Sequence, residues 1–296
     1  MIGQTDPRLP TSNYFGRRHK TKTLMEEVDI IDRIKASLSR EPSAAPCIDY
    51  FVEAGLERNY REKMVDWILE ICDSFSLKRE TCWTAFAILD RYLSSPSGLL
   101  EMDSHRFQLA AITSFYTAAK LNEPVQLGLD MTVRLCHGYY RREEIIKTEL
   151  EILDALSWRL NDFTSPKEFV RHFLELSPVD KAVKQAVMER TDSHLSRTMK
   201  DHYFSLLRPS SVAIALLGVS IEETGMLEYE EVDCIWSTLI QLGFDVNESR
   251  QAEQRLLNEF KSRTPERRIR PVASLRKTSS AVARGSGDAS PVSVMC

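Results

Sequence analysis

The sequence predicts an all-α protein built from two helical domains. Apolar residues recur at the three- and four-residue spacing of amphipathic helices, and residues 58–160 show none of the alternation typical of a β-strand. The pattern then partly repeats at an offset of about 100 residues, the size of one small domain. Segments 107–121 and 142–156 have weak counterparts in 209–223 and 246–260. With 296 residues, the chain is long enough for two such domains.

Breaks in the helical pattern predict where each segment begins and ends. Pro42 and Pro46 interrupt the chain after a first helix, and Ser165-Pro166 has the form of a capped helix start. After Ser262 few large apolar residues remain, so this end cannot bury a core. The predicted segments are a flexible N-terminal arm (1–22), an N-terminal helix and linker (23–57), a first helical domain (58–162), a second helical domain (163–261) and a disordered basic tail (262–296).

Composition and motifs exclude several classes of function. A net charge of −4 argues against binding nucleic acid over the whole molecule, and no stretch is apolar enough to span a membrane. Six cysteines without a C-x-x-C pair predict reduced thiols and no zinc site. The chain has no glycine-rich phosphate loop, nucleophile elbow or His-Glu-x-x-His motif. We therefore expect no catalytic residue, no metal, no cofactor, no direct nucleic-acid partner and no membrane partner.

Four charged residues lie on helix faces that are otherwise apolar. They are Arg61, Asp90, Lys120 and Glu149. A lone charge costs several kcal/mol to bury, so we expect these residues to pair with one another or to meet a partner at a surface. The alternative is that each extends its charged end to solvent from the edge of its apolar stripe.

Four sequence motifs resemble the cyclin box in their order and spacing. They are residues 60–70 (YREKMVDWILE), 88–94 (ILDRYLS), 107–109 followed by 118–123 (FQL and AAKLNE), and 148–153 (TELEIL). The resemblance covers about residues 25–260, and it is firmer in the first domain. It implies a tandem cyclin-box fold, with two five-helix domains preceded by an N-terminal helix. The segment Leu156-Ser157-Trp158-Arg159-Leu160 is similar to D-type members, although the Leu-x-Cys-x-Glu motif is absent.

The resemblance also implies roles for individual residues. Arg61 and Asp90 would form an internal salt bridge, while Lys120 and Glu149 would together bind the backbone of a protein kinase. Leu109, with Trp67, would belong to the signature core. The implied function is a non-catalytic regulatory subunit, present in nucleus and cytoplasm, that binds and activates a cyclin-dependent serine/threonine kinase to control cell-cycle progression. The alternatives are a transcription factor of the same fold and a scaffold that acts without a kinase.

Two further sites are predicted. The resemblance implies a groove that docks Arg-x-Leu segments of kinase substrates or inhibitors, at positions that correspond to Tyr60, Met64, Trp67, Glu70 and Gln108. Lys63 departs from the pattern, because it replaces an apolar residue and would repel a basic segment, and Trp67 is equally well explained as core. In the tail, Thr264-Pro265 and Ser290-Pro291 predict sites of proline-directed phosphorylation.

Overall fold

A computed structural model describes residues 24–41, 48–124, 127–160, 162–244 and 246–263, and these residues contain helices and no strands. The predicted all-α fold is therefore confirmed. The helices are α1 (Leu24–Arg40), α2 (Tyr50–Glu53), α3 (Asn59–Ser74), α4 (Arg79–Leu93), α5 (Pro96–Leu99), α6 (Ser104–Asn122), α7 (Leu129–Leu135), α8 (Arg142–Ala155), α9 (Pro166–Leu176), α10 (Lys181–Lys200), α11 (Pro209–Thr224), α12 (Tyr229–Gln241) and α13 (Val246–Arg263), with a 3₁₀ helix at His202–Leu206.

Helices α6 and α11 lie at the centres of two groups of helices. The α6 helix begins where Asp103 Oδ1 accepts a hydrogen bond from the Arg106 backbone N–H (2.8 Å), and it packs mainly against α4 and α8. The α11 helix begins at Pro209 and ends at Gly225, whose φ of 56° is the left-handed conformation that glycine adopts easily. It packs against α9, α10 and α13. These two helices correspond to the apolar segments that repeat in the sequence.

The buried apolar residues form two hydrophobic cores. The first core is built mainly from α2 to α8, and the second from α9 to α13 together with α1. Although α1 precedes the first group in the chain, its Ile30 and Ile34 are buried in the second core. The residue after α1, Glu41, accepts hydrogen bonds from the backbone N–H (2.7 Å) and hydroxyl (2.9 Å) of Ser210 at the start of α11. The N-terminal helix therefore packs with the second group of helices.

Ion pairs join the two groups. Lys167 on α9 lies 2.5 Å from a carboxylate oxygen of Glu80 on α4 and 2.7 Å from one of Asp192 on α10. Burial disfavours the charged form of Lys167, but the two carboxylates outweigh it and raise the pKa of this amine. Lys200 on α10 also pairs with Asp66 on α3. The Lys167–Glu80 and Lys200–Asp66 pairs therefore connect the second group of helices to the first.

The imidazole of His202 is buried at the same junction. Its ring centroid lies 4.4 Å from that of Tyr50 and 5.0 Å from that of Phe51, and its Nδ1 is 2.8 Å from Ser205 Oγ. Its Nε2 makes no hydrogen bond and lies 3.5 Å from Asp49 Oδ1. Burial lowers the pKa of His202 from 6.5 to about 4, because the charged imidazolium would lose its hydration.

This buried histidine predicts a loss of stability in acid. Between pH 6.5 and about 4 the unfolded chain binds a proton at His202 that the folded chain does not, so stability falls as pH falls. At pH 4 the loss from this residue alone should approach about 3 kcal/mol. We expect His202→Gln to flatten the dependence of unfolding free energy on pH, measured by urea denaturation across this range. Parallel curves for the two proteins would contradict this account.

Candidate functional site

Lys120 and Glu149 come together where α6 packs beside α8. Lys120 lies in the last turn of α6, Glu149 lies in the middle of α8, and the two side chains form an ion pair. Glu149 Oε1 also accepts a hydrogen bond from Thr117 Oγ1 (2.8 Å), and Lys120 Nζ lies 4.4 Å from the centroid of the Tyr116 ring. The Lys120 side chain is 32% exposed and the Glu149 side chain 14%. The pair is therefore fixed in place but still accessible to a partner.

Apolar side chains surround this charged pair. A shallow groove beside the pair is lined by Leu121, Leu153, Trp158 and Leu160, of which Leu121 and Trp158 are 42% and 64% exposed. Leu150, the residue after Glu149 on α8, is also 50% exposed. Contiguous exposed apolar surface on a soluble protein marks an interaction site. Lys120 and Glu149 provide a donor and an acceptor within this surface. The arrangement is suited to binding another protein's backbone, with apolar contacts around two charge-assisted hydrogen bonds.

The position of Trp158 was not foreseen from the sequence. Ser157 and Trp158, which follow α8, have φ values of 50° and 60°, an uncommon conformation for residues other than glycine. The Trp158 indole N–H donates a hydrogen bond to Asp154 Oδ1 (3.2 Å). This turn holds the ring at the surface near Glu149. Backbone strain of this kind is concentrated at functional sites, and a sequence pattern does not reveal it.

Arg61 and Asp90 form a buried ion pair between α3 and α4. Two guanidinium nitrogens of Arg61 contact the two carboxylate oxygens, one of them at 2.9 Å, and the Tyr50 hydroxyl donates to the same carboxylate (2.8 Å). The side chains of Arg61 and Asp90 are only 3% and 7% exposed. Arg61 Nε also donates to the backbone carbonyl of Met199 on α10 (2.6 Å). The pair thus links the two groups of helices as well as two helices of the first group.

The predicted core and docking residues divide between the interior and the surface. Leu109 belongs to the first core, as does Met64, and Gln108 is also buried, where its Oε1 accepts a hydrogen bond from the Tyr140 hydroxyl (3.0 Å). A docked segment would have no direct access to Met64 or Gln108.

The remaining docking positions lie at the surface. Tyr60 and Trp67 are half-buried, and the Lys63 ammonium lies 5.9 Å from the Tyr60 ring. Trp67 also packs against the first core and, with the exposed Glu70, lines a depression near Arg134. The docking site stays a prediction that depends on Tyr60, Trp67 and Glu70.

Other predicted features are only partly covered by the structure. Thr264 and Ser290 lie outside the described residues. In the parts of the chain that the structure describes, no group of three His, Cys, Asp or Glu side chains is placed to hold a metal ion. None of the described helices is long and apolar enough to cross a lipid bilayer.

Comparison with known proteins identifies relatives of this chain. A family model described as "Cyclin, N-terminal domain" matches residues 20–161. Human G1/S-specific cyclin-D1 is 26% identical over 251 residues, which cover 82% of this chain and 83% of that protein. A putative cyclin-A3-1 from Arabidopsis thaliana is 31% identical over 176 residues, which cover 58% of this chain and 48% of that protein.

Solved structures agree in fold. A viral cyclin from herpesvirus saimiri has a TM-score of 0.58 at 18% identity, with 70% of this chain and 86% of that chain covered. A chain of the yeast RNA Pol II CTD kinase CTDK-1 complex has a TM-score of 0.50 at 13% identity, with 81% and 72% covered. Since the family model spans all four cyclin-box motifs and the paired charges within them, residues 20–161 of this chain belong to the cyclin family as an N-terminal cyclin domain.

Proposed function

We propose that this chain is a non-catalytic regulatory subunit that binds and activates a cyclin-dependent serine/threonine kinase in the control of cell-cycle progression. The observation that carries the proposal is the accessible Lys120–Glu149 pair within an exposed apolar surface. The similarity to a G1/S-specific cyclin and the fold shared with a chain of a kinase complex support it. The basic tail supports a distribution between nucleus and cytoplasm.

Activation would follow from selective binding. A protein kinase works only when its catalytic lysine pairs with a glutamate on a mobile helix. A partner that binds the paired conformation more tightly than the unpaired one shifts the population toward it and needs no catalytic group of its own. Because Thr117 and Tyr116 already hold Glu149 and Lys120, little side-chain freedom is lost when the kinase binds.

The proposal predicts that Lys120→Ala and Glu149→Ala each weaken kinase binding at least about tenfold, because each leaves a half-buried charge without its partner at the interface. Purified wild type and variants would be titrated against a panel of cyclin-dependent kinases by calorimetry, with phosphorylation of a peptide substrate measured in parallel. Lys147→Ala is the matched control, since Lys147 is an exposed lysine on α8 with a side chain 79% accessible to solvent. Its binding should equal that of wild type.

A different set of results would overturn the proposal. If the folded wild-type protein binds no kinase of the panel, or if it binds but leaves activity unchanged, the regulatory function is wrong. Kinase binding without activation would instead support the alternative that the chain is a scaffold. Wild-type affinity in both Lys120→Ala and Glu149→Ala would place the interface elsewhere on the molecule.

A further inference from the structure

The second group of helices contains a long stretch with charge of one sign. Residues 209–249 contain eight carboxylates and no lysine, arginine or histidine. The end of the chain has the opposite composition. Residues 264–296, which lie outside the described residues, contain six basic side chains against two acidic ones. The basic residues are Arg267, Arg268, Arg270, Arg276, Lys277 and Arg284.

Helix α12 presents an unpartnered face within the acidic stretch. Its inner residues Ile235 and Leu239 are buried, and its main packing contacts are with α9. We call the exposed residues Tyr229, Glu230, Asp233, Ser237 and Ile240 the outer face of α12. On this face the Tyr229 and Ile240 side chains are 84% and 61% exposed. Among the described residues, no basic side chain forms an ion pair with Glu230 or Asp233.

We propose that the chain's own residues 267–277 dock on the outer face of α12. This segment, RRIRPVASLRK, interleaves basic residues with Ile269, Val272 and Leu275. Its basic side chains complement Glu230 and Asp233, and its apolar side chains complement Tyr229 and Ile240. The face and the segment therefore match in both charge and apolar character.

The connection is long enough for this contact. Helix α13 follows α12 and has 18 residues, which at 1.5 Å per residue span about 27 Å. Measured from the end of α13 at Arg263, Arg267 can reach only about 13 Å and Lys277 about 46 Å, since each residue spans at most about 3.3 Å. The part of the segment from about residue 272 onward, which includes Arg276 and Lys277, can therefore return along the full length of α13 to α12. Because it is tethered, its effective concentration is on the order of millimolar, so ion pairs and apolar contacts that together give a dissociation constant of about 1 mM are enough to populate the docked state.

Phosphorylation would act against this contact. A phosphate at Thr264 adds roughly −2 charge beside the basic residues, and it would repel the carboxylates of α12. The inference is independent of kinase binding, because none of its residues lies at the Lys120–Glu149 site. The docked state would be favoured in unmodified protein and released when Thr264 is phosphorylated.

The test uses the 296-residue chain. The effect of tail substitutions is measured on α12, and the effect of α12 substitutions is measured on the tail. In Arg276→Gln/Lys277→Gln, hydrogen–deuterium exchange of the α12 amides should be about threefold to tenfold faster than in wild type at low salt. In Glu230→Gln/Asp233→Asn, trypsin should cleave after Arg267, Arg268, Arg276 and Lys277 faster by a similar factor. At about 0.5 M salt both differences should disappear, because the charges are screened. Glu53→Gln/Glu57→Gln, which alters two exposed carboxylates near α2, should leave both rates unchanged.

Three results would overturn the inference. The first is identical α12 exchange and identical tail cleavage in wild type and variants at low salt. The second is protection by the tail of a helix other than α12. Protection that rises with protein concentration would assign the tail to a second copy of the chain, not to its own α12.

Discussion

Replacing Arg61 with alanine is expected to lower the free energy of unfolding by about 3–5 kcal/mol, because a buried carboxylate loses its counter-charge. Asp90 would keep the Tyr50 hydroxyl as a donor but would lose both contacts from the guanidinium group. The backbone carbonyl of Met199 would also lose its hydrogen bond from Arg61, so the junction with α10 would weaken. Arg61→Lys should be intermediate, since an ammonium keeps the charge but cannot make the forked contact.

Urea denaturation monitored by circular dichroism would measure this loss. Arg79→Ala is the matched control, because the Arg79–Asp73 ion pair on the same pair of helices is more than half exposed. It should cost no more than about 1 kcal/mol. Arg61→Met combined with Asp90→Leu should cost less than Arg61→Ala alone, since no unpaired charge is left behind. A cost for Arg61→Ala as small as that of Arg79→Ala would show that the buried pair contributes little to stability.

Local patterns were enough to predict much of this architecture. Apolar periodicity identifies helices because one face of each helix must be buried, and a charge on such a face stands out against it. That reasoning singled out Arg61, Asp90, Lys120 and Glu149, and the structure brings them together as two pairs. The pairing of these four charges was predicted from the resemblance to cyclins. Helix spacing alone does not determine how α3 packs on α4 or how α6 packs beside α8.

Features that depend on contacts between distant segments could not be predicted. The apolar stripe of α1 indicates a buried face but does not reveal that Ile30 and Ile34 enter the second core. The Tyr50 hydroxyl and the Met199 carbonyl join the Arg61 site only because the linker and α10 meet α3 there. Met64 fits a docking pattern by position, although packing places it inside the core. In each case the outcome depends on tertiary packing, which the order of residues along one helix does not contain.

Gly98→Ala is expected to destabilise the first core by roughly 3 kcal/mol, at the upper end of the cost of overpacking. A Cβ atom at this position would lie 2.0 Å from the Tyr92 carbonyl oxygen and 3.1 Å from the Leu93 Cα, both of which are backbone atoms. The contact cannot be relieved by a side-chain rotation. The Tyr92 carbonyl also accepts hydrogen bonds from the Ser95 backbone N–H (2.9 Å) and hydroxyl (2.6 Å), so moving it would disturb the turn between α4 and α5.

Thermal and urea unfolding of Gly98→Ala and Gly128→Ala would separate this steric cost from the general effect of removing a glycine. Gly128 precedes α7 with a φ of −64°, and a Cβ there would meet nothing within 4 Å. Its replacement should be neutral or stabilise by up to about 1 kcal/mol, because alanine reduces the freedom of the unfolded chain. Since α5 packs against α8, a displaced α5 should also shift the helix that carries Glu149. Equal stability of the two variants would mean that the α4–α5 turn can open without loss, and the close approach at Gly98 would then have no energetic importance.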